Sequence, residues 1–276
     1  WRKGHGSSRK AERRTWRKEV TERLKLLWQW RHLLGNLVWR DLRLRYRRSL
    51  LGPFWLLINP LILVGLYTFV FSVVLSVPIK KYPLFLLSGL IPWLWFASTM
   101  ATSVSALSRD SNLLRKGPFP SELLVLRAIV VTGLDFMVGL LLLFLLFLAY
   151  GGQASVSLLL LPLLLLLQGL LIAGVAMPLA MAGAVSHDFD HLVGSGLRIL
   201  FFLTPVAYSI ESVPQTYRPL LALNPLSWLT HLYQQVILGN SANLHSLLLL
   251  ALLSVCTFLF GWSFYRRRAC LLPEVL

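Results

Sequence analysis

The sequence predicts an all-α integral membrane protein. It comprises an N-terminal amphipathic helix at the membrane interface, six transmembrane helices, and short re-entrant helices before the last of them. Three observations predict it. Of 276 residues, 56% are hydrophobic and only 14% are charged, against roughly 25% charged in soluble domains, and mean hydropathy is +0.67. Six apolar stretches approach the roughly 20 residues that a helix needs to cross a hydrocarbon core about 30 Å thick. The net charge of +16 is concentrated at one end: residues 1–48 hold sixteen Lys/Arg against four Asp/Glu.

Residues 1–23 read as a basic cytoplasmic arm. The first twenty contain no apolar run of signal-peptide type, so the arm is expected to stay on the protein. Over 24–48, Leu27, Trp30, Leu34, Leu37 and Val38 recur at spacings of three and four among basic residues. That is the pattern of a helix lying in the head-group region. Between Leu42 and Tyr46 the alternation has period two, yet an unpaired strand edge at a membrane leaves backbone groups unsatisfied, so helix is expected.

Residues 40–48 hold five arginines in nine positions, and apolar sequence follows at once. Leu51-Gly52-Pro53 makes the bend, because Pro suits a first helical turn and Gly permits a sharp turn. The expected spans are about 50–77, 84–107, 122–150, 156–185, 194–211 and 243–265, within a membrane domain of 49–268 and before a cytoplasmic tail of 269–276. Pro60 should kink the first span or be accommodated by neighbours. The fifth is the weakest, carrying Arg198, Gly194 and Gly196. With both termini inside, the cytoplasmic side receives the arm, Arg109, Arg115, Lys116, Arg198 and Arg266 to Arg268. The other side receives Lys80, Lys81 and Arg218, as the positive-inside rule requires.

Residues 211–240 are too polar for an ordinary span and too apolar for a plain loop. Pro214, Pro219 and Pro225 cut them into short pieces that would dip into the membrane and return. The loop 108–124 is expected to hold a helical turn from Asp110 to Arg115, ended at Gly117-Pro118, with Ser121 capping the next helix. Arg127 and Asp135 lie about 12 Å apart along the third span, too far to pair, so each should face another helix or a polar cavity.

Several functions are excluded or disfavoured. No Gly-Lys dipeptide occurs, so the chain holds no phosphate-binding P-loop, and no HExxH zinc helix appears. Any nucleotide hydrolysis must come from another chain. His187, Asp188, Asp190 and His191 sit on one short turn and point in different directions, so no metal site is assigned. Cys256 and Cys270 read as free thiols. The basic arm lacks any nucleic-acid motif, and its expected partners are anionic lipids. A membrane transferase for polyprenyl phosphates would need acidic residues gathered at one face, yet only seven Asp/Glu lie scattered beyond residue 48. Trp93, Trp95 and Phe96 fit an interfacial aromatic belt, with a glycan-lining role as the sharper alternative.

RDLRLRYRRSLLGPFWLLINPLI, LSGLIPWLWFASTM, SRDSNLLRKGPFPSELL and LNPLSWLTHLYQQVILG, in that order and spacing, resemble the membrane subunits of type-2 ABC transporters. The resemblance is nearest to the branch that exports O-antigen, capsule or teichoic-acid polysaccharides. It runs from about residue 25 to 268. It implies a six-span permease of the bacterial inner membrane, working as a homodimer with two copies of a separate ATPase. No cofactor would sit on this chain; ATP and magnesium would sit on the partner.

Carried over by position, the interface helix maps to about 24–48 and the family's corner to Leu51-Gly52. ATPase coupling falls on Arg109, Asp110, Leu113, Leu114, Arg115 and Lys116, and on His187, Asp188, Asp190 and His191. The conduit would form between two copies, with Trp55, Tyr67, Phe69, Phe201, Phe202 and Tyr208 as lining candidates. The outer gate maps to Pro214, Tyr217, Asn224, Pro225, Trp228 and Tyr233. Arg43, Arg45, Arg47 and Arg48 are candidates for meeting head groups or the phosphate of a lipid-linked polysaccharide. A permease for a drug or a lipid is the alternative.

Overall fold

The computed structural model describes residues 29–47, 49–76, 79, 81–115, 119–153, 155–241, 243–269 and 272. The whole basic arm and the start of the expected interface helix, with Arg48, Lys116, Gly117-Pro118 and Cys270, lie outside them. The described residues are mostly helical, with no strand among them. They fall into two units that meet in sequence at Arg45 and Tyr46.

Helix α1 runs Arg31–Tyr46, in the first unit up to Arg45. Leu37 and Val38 are buried, and Leu33, Leu34, Asp41 and Leu42 are half-buried, one pair per turn. That spacing is the mark of one covered helix face. The period-two stretch is therefore helical, as expected. Trp39 and Leu44 stay exposed, and the Arg43 guanidinium lies 5.3 Å from the Trp39 ring centroid, a cation–π contact.

The second unit holds the spans. Five helical stretches are long and apolar enough to cross a membrane: Gly52–Val74, Tyr82–Val104, Glu122–Ala149, Val156–Val185 and Leu244–Arg268. Within them α2 is Trp55–Thr68, continuing as a π-helix over Phe69–Val74. Then come α3 (Tyr82–Val104), α4 (Ala106–Arg109), α5 (Ser111–Arg115), α6 (Glu122–Ala149) and α7 (Leu161–Val185). The order closes with α8 (Asp188–Phe202), α9 (Arg218–Ala222), α10 (Pro225–Ile237) and α11 (Leu244–Arg268). Pro60 stays inside α2 without ending it.

The core is α3. It packs against α2, α6, α7, α8 and α10, and 72% of its apolar window is buried, against 11% for Gly52–Val74. Polar bonds tie it in place: Thr99 Oγ1 meets Thr132 Oγ1 of α6 at 2.7 Å, and Gln168 of α7 donates to the Pro92 carbonyl at 2.9 Å. This location corrects the belt expectation. Trp93, Trp95 and Phe96 are buried at 6%, 9% and 6% exposure, and Trp95 stacks on Phe136 with centroids 4.6 Å apart. Their helix is central, so the rings fill a protein interior instead of marking an interface.

Helices α7 and α11 form the most extensive pairing, and it depends on two glycines. A Cβ added at Gly261 would lie 2.0 Å from the Gly174 carbonyl oxygen. Pro178 has no N–H to offer that same carbonyl one turn on. The small residues let two backbones touch, which is how helices gain packing in a medium as apolar as themselves.

The expected fifth span, 194–211, is not one helix. Helix α8 starts earlier, at Asp188, and stops at Phe202. Thr204, Val206 and Ala207 then run as buried irregular backbone. Pro205, which lacks an amide hydrogen, sits where the next turn would need one.

Candidate functional site

The corner after α1 is built on Ser49 to Phe54. Gly52 has φ +48°, a left-handed conformation that an L side chain strains. Its amide donates to Ser49 Oγ at 3.0 Å, and the Phe54 amide to the Leu51 carbonyl at 3.0 Å. Gly52–Phe54 then form a 3-10 turn, with Pro53 in its first positions, leading into α2. Leu50 and Leu51 are exposed, as are Arg43, Arg45 and Arg47 in the charged stretch before them.

Of the lining candidates, some meet and some do not. Tyr67 of α2 lies 5.9 Å from Phe201 of α8 between ring centroids. Phe201 also meets Trp93 edge-on at 5.5 Å and Phe202 at 5.5 Å. Phe202 itself is 72% exposed, Phe69 59% and Trp55 42%. Trp55 lies three turns before Tyr67 and belongs to no such cluster among the described residues. The Tyr208 hydroxyl donates to the Phe202 carbonyl at 2.8 Å and is spent closing the end of α8.

The break after α8 puts unpaired carbonyls inside the bundle, where each would cost several kcal/mol in a water-free medium, roughly. Side chains meet them one by one. Asn224 Nδ2 reaches the Leu203 carbonyl at 3.3 Å and Thr204 Oγ1 at 2.9 Å. Gln234 Nε2 donates to Pro205 and Val206 carbonyls at 3.2 and 3.4 Å. Tyr82 Oη donates to the Ala207 carbonyl at 2.8 Å. The same Asn224 caps α10 through the Leu226 amide at 3.0 Å.

Among the gate candidates, Pro214 and Tyr217 are exposed, Pro225 opens α10, and Trp228 is half-buried. Tyr233 is fully buried and donates to Gln168 Oε1 at 2.9 Å. Gln168 and Gln234, which organise this region, were not singled out from sequence. A lone Gln in an apolar run is the signal that finds Gln168, because only a partner justifies it.

At the other end of the bundle, α3 stops at Val104 and the chain folds into α4 and α5. Ala106 and Leu107 are buried, Arg109 is exposed and bonded to Ser105 Oγ at 3.1 Å, and Leu113 and Leu114 are half-buried. The turn from Asp110 to Arg115 is helical as expected. Asp110 turns inward and pairs with Arg127 of α6, whose side chain is 1% exposed. Ser121 stands at the N-cap of α6, but its side chain makes no capping bond, contrary to expectation: its backbone is already helical, not extended. His187 precedes α8, while Asp188, Asp190 and His191 form its first turn, where acidic residues face the positive end of the helix dipole. No group of three metal-binding side chains gathers among the described residues.

The family described as ABC-2 type transporter matches residues 32–238. The chain is 35% identical over 212 residues to the O-antigen export system permease protein RfbA of Myxococcus xanthus, covering 76% of this chain and 82% of that protein. It is 26% identical to the RfbA protein of Klebsiella pneumoniae, over 86% of this chain and 92% of the relative. The polysialic acid transport protein KpsM of Escherichia coli is 27% identical, over 83% of this chain and 90% of that protein. A multi-pass helical bundle, matched by the family over three quarters of its length and by these permeases over most of theirs, belongs to the ABC-2 type transporter family.

Proposed function

We propose that this chain is the membrane permease of an exporter that moves a lipid-linked polysaccharide out of the cytoplasm, driven by ATP hydrolysis on a separate subunit. The observation that carries the reading is the 35% identity to an O-antigen export permease across 82% of that protein. The absence of any Gly-Lys dipeptide fits an ATPase on another chain.

In this reading the permease works as a homodimer with two ATPase copies in the bacterial inner membrane, both termini cytoplasmic. The chain crosses six times. Helix α8 and the irregular segment after it make the fifth crossing, and α9 and α10 are re-entrant helices of an outer gate. The scant cover on Gly52–Val74 within one chain suits a span that faces a second copy and the conduit. Arg109 to Lys116, with His187 to His191, receive the ATPase. Arg43, Arg45, Arg47 and Arg48 meet phosphate at the cytoplasmic entrance, where Arg forks fit its oxygens. Trp55, Tyr67, Phe69, Phe201, Phe202 and Tyr208 line or border the path, and Pro214, Tyr217, Asn224, Pro225, Trp228 and Tyr233 build the gate.

The test is deletion of the gene and restoration with its neighbouring ATPase. Loss of cell-surface polysaccharide, with glycolipid accumulating inside and co-purifying with the complex, is expected. Unchanged surface polysaccharide overturns the export reading. Unchanged export after neutralising all four arginines overturns only their substrate role.

A further inference from the structure

Helix α8 has two unlike sides. One packs on α3, and its Phe201 sits among Tyr67 and Trp93. The other is open: Ser195, Arg198 and Ile199 are exposed along it, and a Cβ at Gly194 or Gly196 would meet nothing within 4 Å. Arg198 Nη2 donates to Ser195 Oγ at 3.0 Å, one turn toward the helix start. Among the described residues, no carboxylate lies within ion-pair distance of Arg198.

Ten residues separate Asp188 from Arg198, or about 15 Å of helix. Because α8 starts at Asp188 and not at the expected 194, a fifth crossing counted from there sets Arg198 near the middle of a hydrocarbon core about 30 Å thick, and not at the cytoplasmic side expected from sequence. A guanidinium turned to acyl chains is expensive, and such residues face a partner or water. Its fork, with a hydroxyl beside it, matches the oxygens of a phosphate or carboxylate.

We propose that Arg198 and Ser195 form an oxyanion-holding station midway along the conduit, taking an anionic group of the passing substrate. This rests on the export reading, which supplies the crossing and the cargo. The oxyanion is a phosphate if it belongs to the lipid linkage and a carboxylate if it belongs to an acidic glycan.

The test uses the full-length chain in proteoliposomes, with Cys256→Ser and Cys270→Ser as background and Ser195→Cys as reporter. Methanethiosulfonate reagents of similar size, one anionic and one cationic, are compared. A positive charge in a narrow aqueous path should favour the anionic reagent about tenfold. Arg198→Lys should keep that preference and Arg198→Gln should abolish it. Inorganic phosphate and glucuronate are then tried as protectants: protection by phosphate assigns the lipid linkage, and protection by glucuronate assigns the glycan. No labelling by either reagent, a preference unchanged in Arg198→Gln, or protection by neither anion overturns the proposal. If Ser195→Cys does not fold, Ile199→Cys reports on the same face. Labelling is read without any export, so it stands apart from the failure of the export reading, which shows as unchanged surface polysaccharide in the deletion strain.

Discussion

Asp110 and Arg127 form an ion pair that joins the turn between α4 and α5 to the body of α6, with 11% and 1% of their side chains exposed. They stand seventeen positions apart in sequence, with a loop between them. Any push on the α4–α5 knob is therefore carried to a span by a hydrogen-bonded charge pair as well as by the chain itself.

Breaking that pair should be costly, because one charge stays behind in a dry place. Arg127→Leu is expected to lower stability by about 3–5 kcal/mol, whereas replacing both partners by Leu should recover most of the loss. Thermal unfolding in detergent, monitored by intrinsic fluorescence, separates the two. In the double variant, a stable protein whose partner still hydrolyses ATP but whose export is lost would assign the pair to coupling. Full export from it would leave the pair a purely structural role.

Gly261 should tolerate no side chain. Its Cβ would sit 2.0 Å from the Gly174 carbonyl, on backbone that cannot swing away. Gly261→Ala is expected to destabilise by about 1–3 kcal/mol through forced separation of α7 and α11. Gly65→Ala is the control, since nothing lies within 4 Å of its added Cβ. It should be neutral or slightly stabilising, as the helix propensity of Ala over Gly dictates. Equal melting temperatures for the two variants would count against the close-packed seam.

Gln234 and Tyr233 make different kinds of bond, and their removal should differ in cost. Gln234→Met strips donors from two buried carbonyls and should cost about 1–3 kcal/mol. Tyr233→Phe removes a single side-chain bond to Gln168 and should cost about 0.6 kcal/mol, the mean for such bonds in membranes. Thermal melts of the purified chain decide the order. A reversal would mean that the segment 203–207 is held by packing more than by its capped carbonyls.

Five spans were legible because length and apolarity are enough to find them. What hydropathy does not report is which span is central. Lipid and protein interior are equally apolar, so α3, with Trp93 and Trp95 inside it, reads the same as a peripheral helix. The expected fifth span misled for a related reason: residues 199–210 are mostly apolar and uncharged, and Pro205 was the local sign that the helix stops. The partners of its freed carbonyls come from Tyr82, Asn224 and Gln234, distances in sequence that no local pattern spans. Arg127 demanded a partner, and the sequence showed only that Asp135, about 12 Å along the same helix, was too far to serve. The structure supplies Asp110, from a loop that folds back.

Phe201 and Phe202 are neighbours with opposite surroundings, and the pair separates packing from transport. Phe201 makes ring contacts with Tyr67, Trp93 and Phe202, while Phe202 is 72% exposed within one chain. Phe201→Ala should therefore lower thermal stability by about 1–3 kcal/mol, less than a fully enclosed Phe because its site is only half-buried. Phe202→Ala should leave the melting of the detergent-solubilised monomer nearly unchanged. If Phe202 borders the conduit, its loss should still alter export, read as the amount or chain length of surface polysaccharide at equal protein level. Normal export from Phe202→Ala would turn that ring toward lipid and remove it from the path, with Phe201 keeping its role as the seam between α2, α3 and α8.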